Sequence, residues 1–239
     1  SGLPDHNNDS TEFAVARATR PDTTITPQQV FDLVRRLPAH FAPGAAWSYN
    51  DTGFYILRLV VEKRNAPGWT FGQFVQNRLL TPWALADTFV PGPENGYLYR
   101  IPGVSAHGYV VIGSGIAPLD MTEVNQSWDL GCGGMVSTVG DLARWARVLY
   151  SGQVLSARST VEMKTATMQS RARGTAYGLG TGYEPRLGFG HGGMTNGYFC
   201  EMQYEPVHQT ASAAFITTTA DFTMEMTKPL MVAAKRALG

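Results

Sequence analysis
Leu187-Gly188-Phe189-Gly190-His191-Gly192-Gly193-Met194-Thr195-Asn196-Gly197-Tyr198 is the stretch on which the fold turns. A histidine stands among five glycines, with Leu187 and Phe189 alternating before it and Tyr198, Cys200, Met202 and Tyr204 after it. Alternation on both sides predicts two adjacent strands joined by a tight connection. Glycine at this density lets backbone approach a ligand closely, because no Cβ intervenes. A histidine at the lip of such a strand, beside exposed amides, suits acyl-transfer chemistry. The same residues equally describe a glycine-rich hairpin with a surface histidine, and the stretch alone does not separate the two.

Downstream, residues 210–218 form a β-branched run in which Ala213, Phe215 and Thr217 alternate with Ala214 and Ile216, and a last helix is expected over about 222–238. Upstream the periodicity is helical. Thr26-Pro27 reads as N-cap and first helical position for a helix carrying Val30, Leu33, Val34 and Leu37. A second helix is expected from Thr52 to about Arg64, with Phe54, Leu57, Val60 and Val61 on its apolar face, broken by Pro67-Gly68. Thr70 caps a third, whose Phe71, Phe74, Val75 and Leu79 face a core; Thr138 with Asp141 resembles a capping box, and Ser156 caps one more. Residues 88–127, punctuated by Pro91, Pro93, Pro102 and Pro118, read as a loop-rich insertion. The fold class is therefore α+β: an antiparallel sheet flanked by helices, plus a helical lobe. The expected division is an extended segment over 1–25 without a hydrophobic anchor, a helical lobe over 26–165, and sheet with C-terminal helix over 166–239. So long a structureless opening implies something upstream that holds it.

Composition narrows the functions. The 239 residues are 44% hydrophobic and 16% charged with zero net charge, and no basic cluster exceeds Arg35-Arg36, which argues against nucleic acid as partner. No apolar run reaches membrane-spanning length, and the polar, acidic N-terminal stretch does not read as a signal peptide. Cys132 and Cys200 make no metal site, and nothing in their spacing indicates a disulfide. His6, His40, His107 and His208 lack metal-ligand spacing and read as solvated surface groups. Gly113-Ser114-Gly115 lacks the pattern of a nucleophile elbow. No cofactor or metal is expected.

A second chemistry-bearing stretch is Phe41-Ala42-Pro43-Gly44-Ala45-Ala46-Trp47-Ser48-Tyr49-Asn50-Asp51-Thr52-Gly53-Phe54. Tyr49 and Asp51 flank one residue at the mouth of a helix, so both side chains can reach one cavity. A tyrosine serves as general base where neighbouring cations lower its pKa from about 10. The alternative is a packed tyrosine with Asp51 as N-cap.

Residues 43–54 of this stretch resemble the P-G-x-x-[FW]-x-Y-[SA]-N-x-G-[YF] signature of the serine β-lactamase and D-alanyl-D-alanine carboxypeptidase family, class C type. Gly133-Gly134-Met135-Val136-Ser137-Thr138, followed by Asp141-Leu142-Ala143-Arg144, is similar to that family's G-G-[LM]-x-S-T-x-x-D-[LM]-A block. Gly190-His191-Gly192-Gly193 resembles its H-x-G motif, the counterpart of K-T-G in related enzymes, and Ser1-Gly2-Leu3-Pro4-Asp5 resembles the end of its H-T-S-G-L-P-D segment. Four blocks in order cover nearly the whole chain.

The resemblance implies an enzyme: a serine acyl hydrolase in which a serine of S-x-x-K attacks a carbonyl while lysine and Tyr49 exchange the proton. The oxyanion would be held partly by the backbone N–H of Met194, with His191, Gly192 and Gly193 lining the substrate, a small acyl or peptide compound. A secreted or periplasmic setting is implied as well. None of the twelve serines has lysine three residues later, so S-x-x-K is absent from this sequence. An N-terminal chain of the same precursor is the expected partner that would supply serine and lysine. Asp51 replaces the usual asparagine and gives up an amide donor for a stronger acceptor of a lysine ammonium. His191 in place of lysine, and Gly192 in place of a hydroxyl residue, tilt the expectation from β-lactams toward esters, amides and D-amino-acyl substrates. An acyltransferase, a non-catalytic binding homologue, and an N-terminal nucleophile at Ser1 are the alternatives.

Overall fold
A computed structural model describes residues 1–65, 68–101, 106–111, 113, 115–195, 197–219 and 223–237. Pro67, Pro102, Ser114, Asn196 and the expected ends of the last helix at 222 and 238 lie outside the described residues. The chain divides into two units, Ser1–Ser105 with Thr122–Val136, and Ala106–Met121 with Ser137–Gly239. This division differs from the expected boundary at 165/166.

The first unit is helical: α1 (Glu12–Thr19), α2 (Pro27–Arg36), α3 (Asp51–Arg64) and α4 (Phe71–Val75), the last running on through a π turn at Gln76–Leu80 and a 3₁₀ turn at Thr81–Trp83. Local capping chemistry starts three of them. Thr26 and Gln29 form a reciprocal capping box with Pro27 in the first turn of α2; Thr70 and Gln73 do the same for α4; Asn50 accepts from the Gly53 N–H at 2.7 Å ahead of α3. Phe13, Ile25, Val30, Leu33, Tyr55 and Trp128 make the core.

Four expectations change here. Residues 1–25 are not an unanchored extended segment: they contain α1 and contribute Phe13 and Ile25 to the core. Asp51 is not the N-cap of α3, because Asn50 takes that place. The buried face of α3 is Thr52, Tyr55 and Arg58, whereas Phe54, Leu57 and Val60 are 39%, 55% and 49% exposed. Both triplets have helical spacing. The N-terminal segment selects between them, because His6 is fully buried rather than solvated. The His6 N–H donates to Thr52 Oγ1 at 3.0 Å, Nδ1 stands 3.0 Å from the same oxygen, and Nε2 stands 3.0 Å from the Trp128 carbonyl. A carbonyl only accepts, so Nε2 carries the proton and Nδ1 accepts from the Thr52 hydroxyl. Gly2 supports the same docking: its φ is +79°, and a Cβ there would lie 2.0 Å from the Phe41 carbonyl oxygen.

The second unit holds a four-stranded antiparallel sheet of β3 (Gly182–Glu184), β4 (Gly188–Thr195), β5 (Tyr198–Glu205) and β6 (Thr210–Ile216), in that spatial order. β4 and β5 are the expected hairpin, paired without a slip from Phe189 opposite Tyr204 to Thr195 opposite Tyr198. Phe189, Met202, Tyr204 and Ala211 pack against Ala146, Leu149 and Tyr150 of α5 (Val139–Tyr150) and Met163 of α6 (Ala157–Lys164). Alternation turns Phe199, Glu201 and Gln203 to the opposite face. There α8 (Thr223–Ala237) packs on β5 and β6 with Thr227 and Met231 buried. A short helix α7 (Met168–Ala172) was not legible in the sequence pattern. Nor was a three-stranded sheet of β1 (Tyr109–Val110), β2 (Leu119–Asp120) and β7 (Thr218–Thr219), inside and beyond the expected loop-rich insertion. The α+β fold class stands. Cys132 and Cys200, one in each unit, are free thiols.

Burial, opposed by the Trp128 carbonyl and the charges of Asp5 and Asp51, pushes the His6 pKa below its ordinary value. Between that lowered value and about 6.5 the unfolded chain binds more protons, so His6 makes stability fall as pH drops below about 6.5. Denaturant midpoints measured from pH 7.5 to pH 5 should decline in the parent chain and decline less in His6→Asn. That variant should also be weaker at pH 7.5 by on the order of 1–3 kcal/mol, because a buried polar group loses its partner. An equally steep acid decline in His6→Asn would take His6 out of that dependence.

Candidate active site
The anticipated site residues fall into two groups, one in each unit. Tyr49 and Asp51 come together at the start of α3. Asp51 is its first residue, and its carboxylate accepts from the Tyr49 side chain and from Asn7 Nδ2 at 2.9 Å. Its N–H donates to Asp5 Oδ2 at 3.2 Å. Asn50 Nδ2 donates to the Leu3 carbonyl at 2.9 Å, tying the helix start to the N-terminal segment. Asn7 also reaches Asp129 Oδ1 at 3.3 Å, so one amide bridges two carboxylates. Tyr49 itself is 42% exposed. Tyr49 therefore combines an exposed side chain with a carboxylate neighbour.

Asp129 explains the glycines of the second motif. Its carbonyl accepts from the N–H groups of Cys132 at 3.1 Å and Gly133 at 2.7 Å. A Cβ on Gly133 would stand 2.7 Å from Asp129 Oδ2, and Gly131 and Gly134 have φ of +92° and +72°. The loop is thus closed around a buried carboxylate, and side chains at these positions would open it. Cys132 Sγ lies 3.2 Å from the Asp129 carbonyl, and burial together with Asp129 and Asp51 raises its thiol well above the usual range. It is not a nucleophile. Thr138, at the end of the motif, caps α5 by accepting from the Asp141 N–H at 3.2 Å.

The second group, His191, Gly192, Gly193 and Met194, lies on β4 in the other unit. β3 pairs with β4 only over Gly188–Gly190. Among the described residues no strand pairs with that edge of β4 from His191 to Thr195, and Met194 there is 57% exposed. An unpaired strand edge offers backbone donors and acceptors to an extended ligand. The His191 ring meets Tyr177, whose hydroxyl is 2.6 Å from Nε2.

The glycines of β4 have a different immediate cause from the one anticipated. Gly190 pairs with Gln203 and Gly192 with Glu201. A Cβ at Gly190 would lie 2.0 Å from the Met202 carbonyl oxygen and 2.4 Å from the Gln203 side chain, and one at Gly192 would lie 2.5 Å from Glu201 Oε2. Two long polar side chains of β5 lie across β4, and glycine makes the room. Both are buried, and Gln203 Nε2 donates to Glu201 Oε1 at 2.5 Å. Burial raises the Glu201 pKa, with Gln203 and Lys228 acting the other way and Glu184 adding to it. Sequence reasoning passed over this pair, as it did Asn7, Asp129 and Tyr177, and it met Asp5 only as the end of a motif. Counting outward from the Thr195–Tyr198 pair would have set Glu201 and Gln203 opposite the two glycines. Among the described residues no three His, Cys, Asp or Glu side chains could hold a metal ion.

Residues 1–235 match the family model described as Beta-lactamase. The chain is 25% identical over 213 residues to a D-aminopeptidase of Brucella ovis, spanning 84% of this chain and 37% of that protein. It is 26% identical over 202 residues to penicillin-binding protein 4* of Bacillus subtilis, spanning 75% of this chain and 40% of that protein. The chain therefore spans less than half the length of these curated relatives. A crystal structure of a D-stereospecific amidohydrolase from Streptomyces superposes with a TM-score of 0.78 at 26% identity, over 91% of this chain and 65% of that one.

Two outcomes follow from the geometry. Burial raises the Asp51 pKa, with Asp5 adding to it and Asn7, His6 and Tyr49 opposing. Above the ordinary carboxylate value the native chain holds this proton more tightly than the unfolded chain, so the charge at Asp51 lowers stability as pH rises through that window. Asp51→Asn should raise the melting temperature at pH 7, and the gain should shrink toward pH 4; a gain independent of pH would show that desolvation of Asp51 is not the cause. Separately, Gly192→Ala should cost on the order of 1–3 kcal/mol by overpacking against Glu201. A double-mutant cycle with Glu201→Ala should recover part of that loss. Strict additivity of the two would contradict the contact.

Proposed function
Because the chain belongs to the beta-lactamase family, we propose that it works in a serine acyl hydrolase that cleaves D-amino-acyl amide or peptide bonds through an acyl-enzyme. The observation that carries this reading is Tyr49: a half-exposed phenol, inside the family's motif, hydrogen-bonded to a carboxylate at a helix start. The D-amino-acyl class is supported by the D-aminopeptidase and the D-stereospecific amidohydrolase that the chain resembles. His191 and Gly192, where K-T-G enzymes carry an ammonium and a hydroxyl, favour a substrate without the carboxylate that those groups bind.

In this reading Tyr49 exchanges the proton with the nucleophilic serine and then delivers it to the leaving amine. The N–H of Met194 is one donor to the oxyanion, a contribution of about 3–4 kcal/mol in comparable sites. His191, Gly192 and Gly193 align the substrate along the β4 edge. Serine and lysine come from an S-x-x-K segment outside the 239 residues. The exposed stripe of Phe54, Leu57 and Val60 on α3 supports this, since an apolar helix face of that kind is ordinarily covered. Asp51, half-buried beside Asn7, Tyr49 and Asp5, suits a lysine ammonium.

Mass spectrometry of the purified full-length protein should find an S-x-x-K segment, either joined to these residues or bound to them. The assembly should release D-amino acids from their p-nitroanilides in preference to L-amino acids. Tyr49→Phe should lower kcat by about 10²–10⁴ with the melting temperature unchanged. Undiminished turnover in Tyr49→Phe would remove Tyr49 from the mechanism, and equal rates on both enantiomers would overturn the substrate class.

A further inference from the structure
One hydrogen bond beside β4 has no part in the steps above. The Tyr177 hydroxyl and His191 Nε2 are 2.6 Å apart, with the two rings edge to face at 69° and 5.7 Å between centroids. Tyr177 is itself tightly held. Its carbonyl accepts from the Ser170 hydroxyl at 2.9 Å and from the Thr167 N–H at 3.2 Å, and its own N–H donates to Ser170 Oγ at 3.4 Å. Ser170 is fully buried. Tyr177 then bridges to Gly182, and Gly182 pairs with Gly190, the neighbour of His191. A Cβ at Gly182 would lie 3.8 Å from Tyr177 Cδ2, so the phenol ring stands close to β3 at that residue.

We propose that Tyr177 is a positioning residue for His191: its hydroxyl donates to Nε2, so that the neutral imidazole carries its proton on Nδ1. The polarity follows from acid strength. A phenol O–H is a stronger acid than a neutral imidazole N–H, and the imidazole sp² nitrogen is a better acceptor than a phenol oxygen. The nitrogen that bears the proton in a histidine is set by the bond that the other one makes. An imidazole left to itself favours the proton on Nε2, so the Tyr177 bond reverses the ordinary preference. His191 then presents an N–H donor to a carbonyl oxygen while uncharged, which suits an uncharged amide substrate better than a carboxylate. This role rests on the acyl-hydrolase reading; the tautomer does not.

The test is nitrogen NMR at pH 8 on the full-length protein carrying ¹⁵N-labelled histidine, with the His191 signals identified by their loss in His191→Asn. The parent should show His191 with the proton on Nδ1, and Tyr177→Phe should move it to Nε2. Tyr177→Phe keeps the ring and its packing, and should raise KM for a D-amino-acyl amide about ten-fold, the loss of one oriented hydrogen bond, while kcat changes less than about two-fold. An Nε2 proton in the parent overturns the proposal, and that spectrum decides even if the variant does not fold. An unchanged tautomer in Tyr177→Phe overturns it as well. A switched tautomer with KM unchanged overturns the positioning role. If no D-amino-acyl amide is hydrolysed by the parent, the functional reading fails while the NMR result still decides on Tyr177.

Discussion

The register of β4 against β5 is the constraint from which the candidate site follows. Seven consecutive pairs lock the two strands, and a slip of one residue would throw every side chain to the other face. In the observed register Gly190 and Gly192 lie beneath Gln203 and Glu201, and no other residue fits those places without displacing the Met202 carbonyl or a buried side chain. The glycines, the buried polar pair and the position of His191 are therefore one arrangement. β3 adds to it by pairing only as far as Gly190, which leaves the edge beyond it without a strand partner among the described residues. The sheet thus offers backbone at the place where His191 offers a side chain.

The helical unit is organised around charge. Asn7 shares one amide between Asp51 and Asp129, while Asp5 accepts from the backbone at the start of α3. Arg17 is close enough for its charge to act on Asp129, but its guanidinium stacks 3.8 Å above the Trp128 ring, and burial lowers its pKa. Carboxylates gathered with so little cation among them are costly for the isolated unit. The same arrangement makes Asp51 a ready acceptor for a cation brought from elsewhere.

Much of this was legible because the signals are local. Thr26, Thr70, Thr138 and Ser156 cap helices where the spacing of side-chain oxygens predicts it, and the alternation around Gly197 gives the hairpin. What was not legible depends on contacts between distant residues. The apolar triplet of α3 looked like its core face, yet the choice between the two stripes rests on His6 reaching Thr52 and Trp128. α1 escaped notice because only Phe13 of its eight residues is buried, too little for a periodic pattern. In the site, Tyr49 and the β4 residues were recognised through their motifs. Asn7 and Asp129 were not, since neither has meaning until the chain closes across more than a hundred residues. Tyr177 had no sequence signal at all; its place beside His191 comes with its bridge to Gly182 of β3.

The two cysteines give the molecule an unplanned use. Burial, with the nearby carboxylates, keeps Cys132 protonated far above neutrality, and it raises the Cys200 thiol to about 11. Only the thiolate reacts at a useful rate, so both stay silent toward alkylating reagents while their surroundings remain closed. One belongs to each unit. The rate at which each acquires a label therefore becomes a clock for the opening of its own half, and the chain carries a separate gauge of local breathing in each without any added probe.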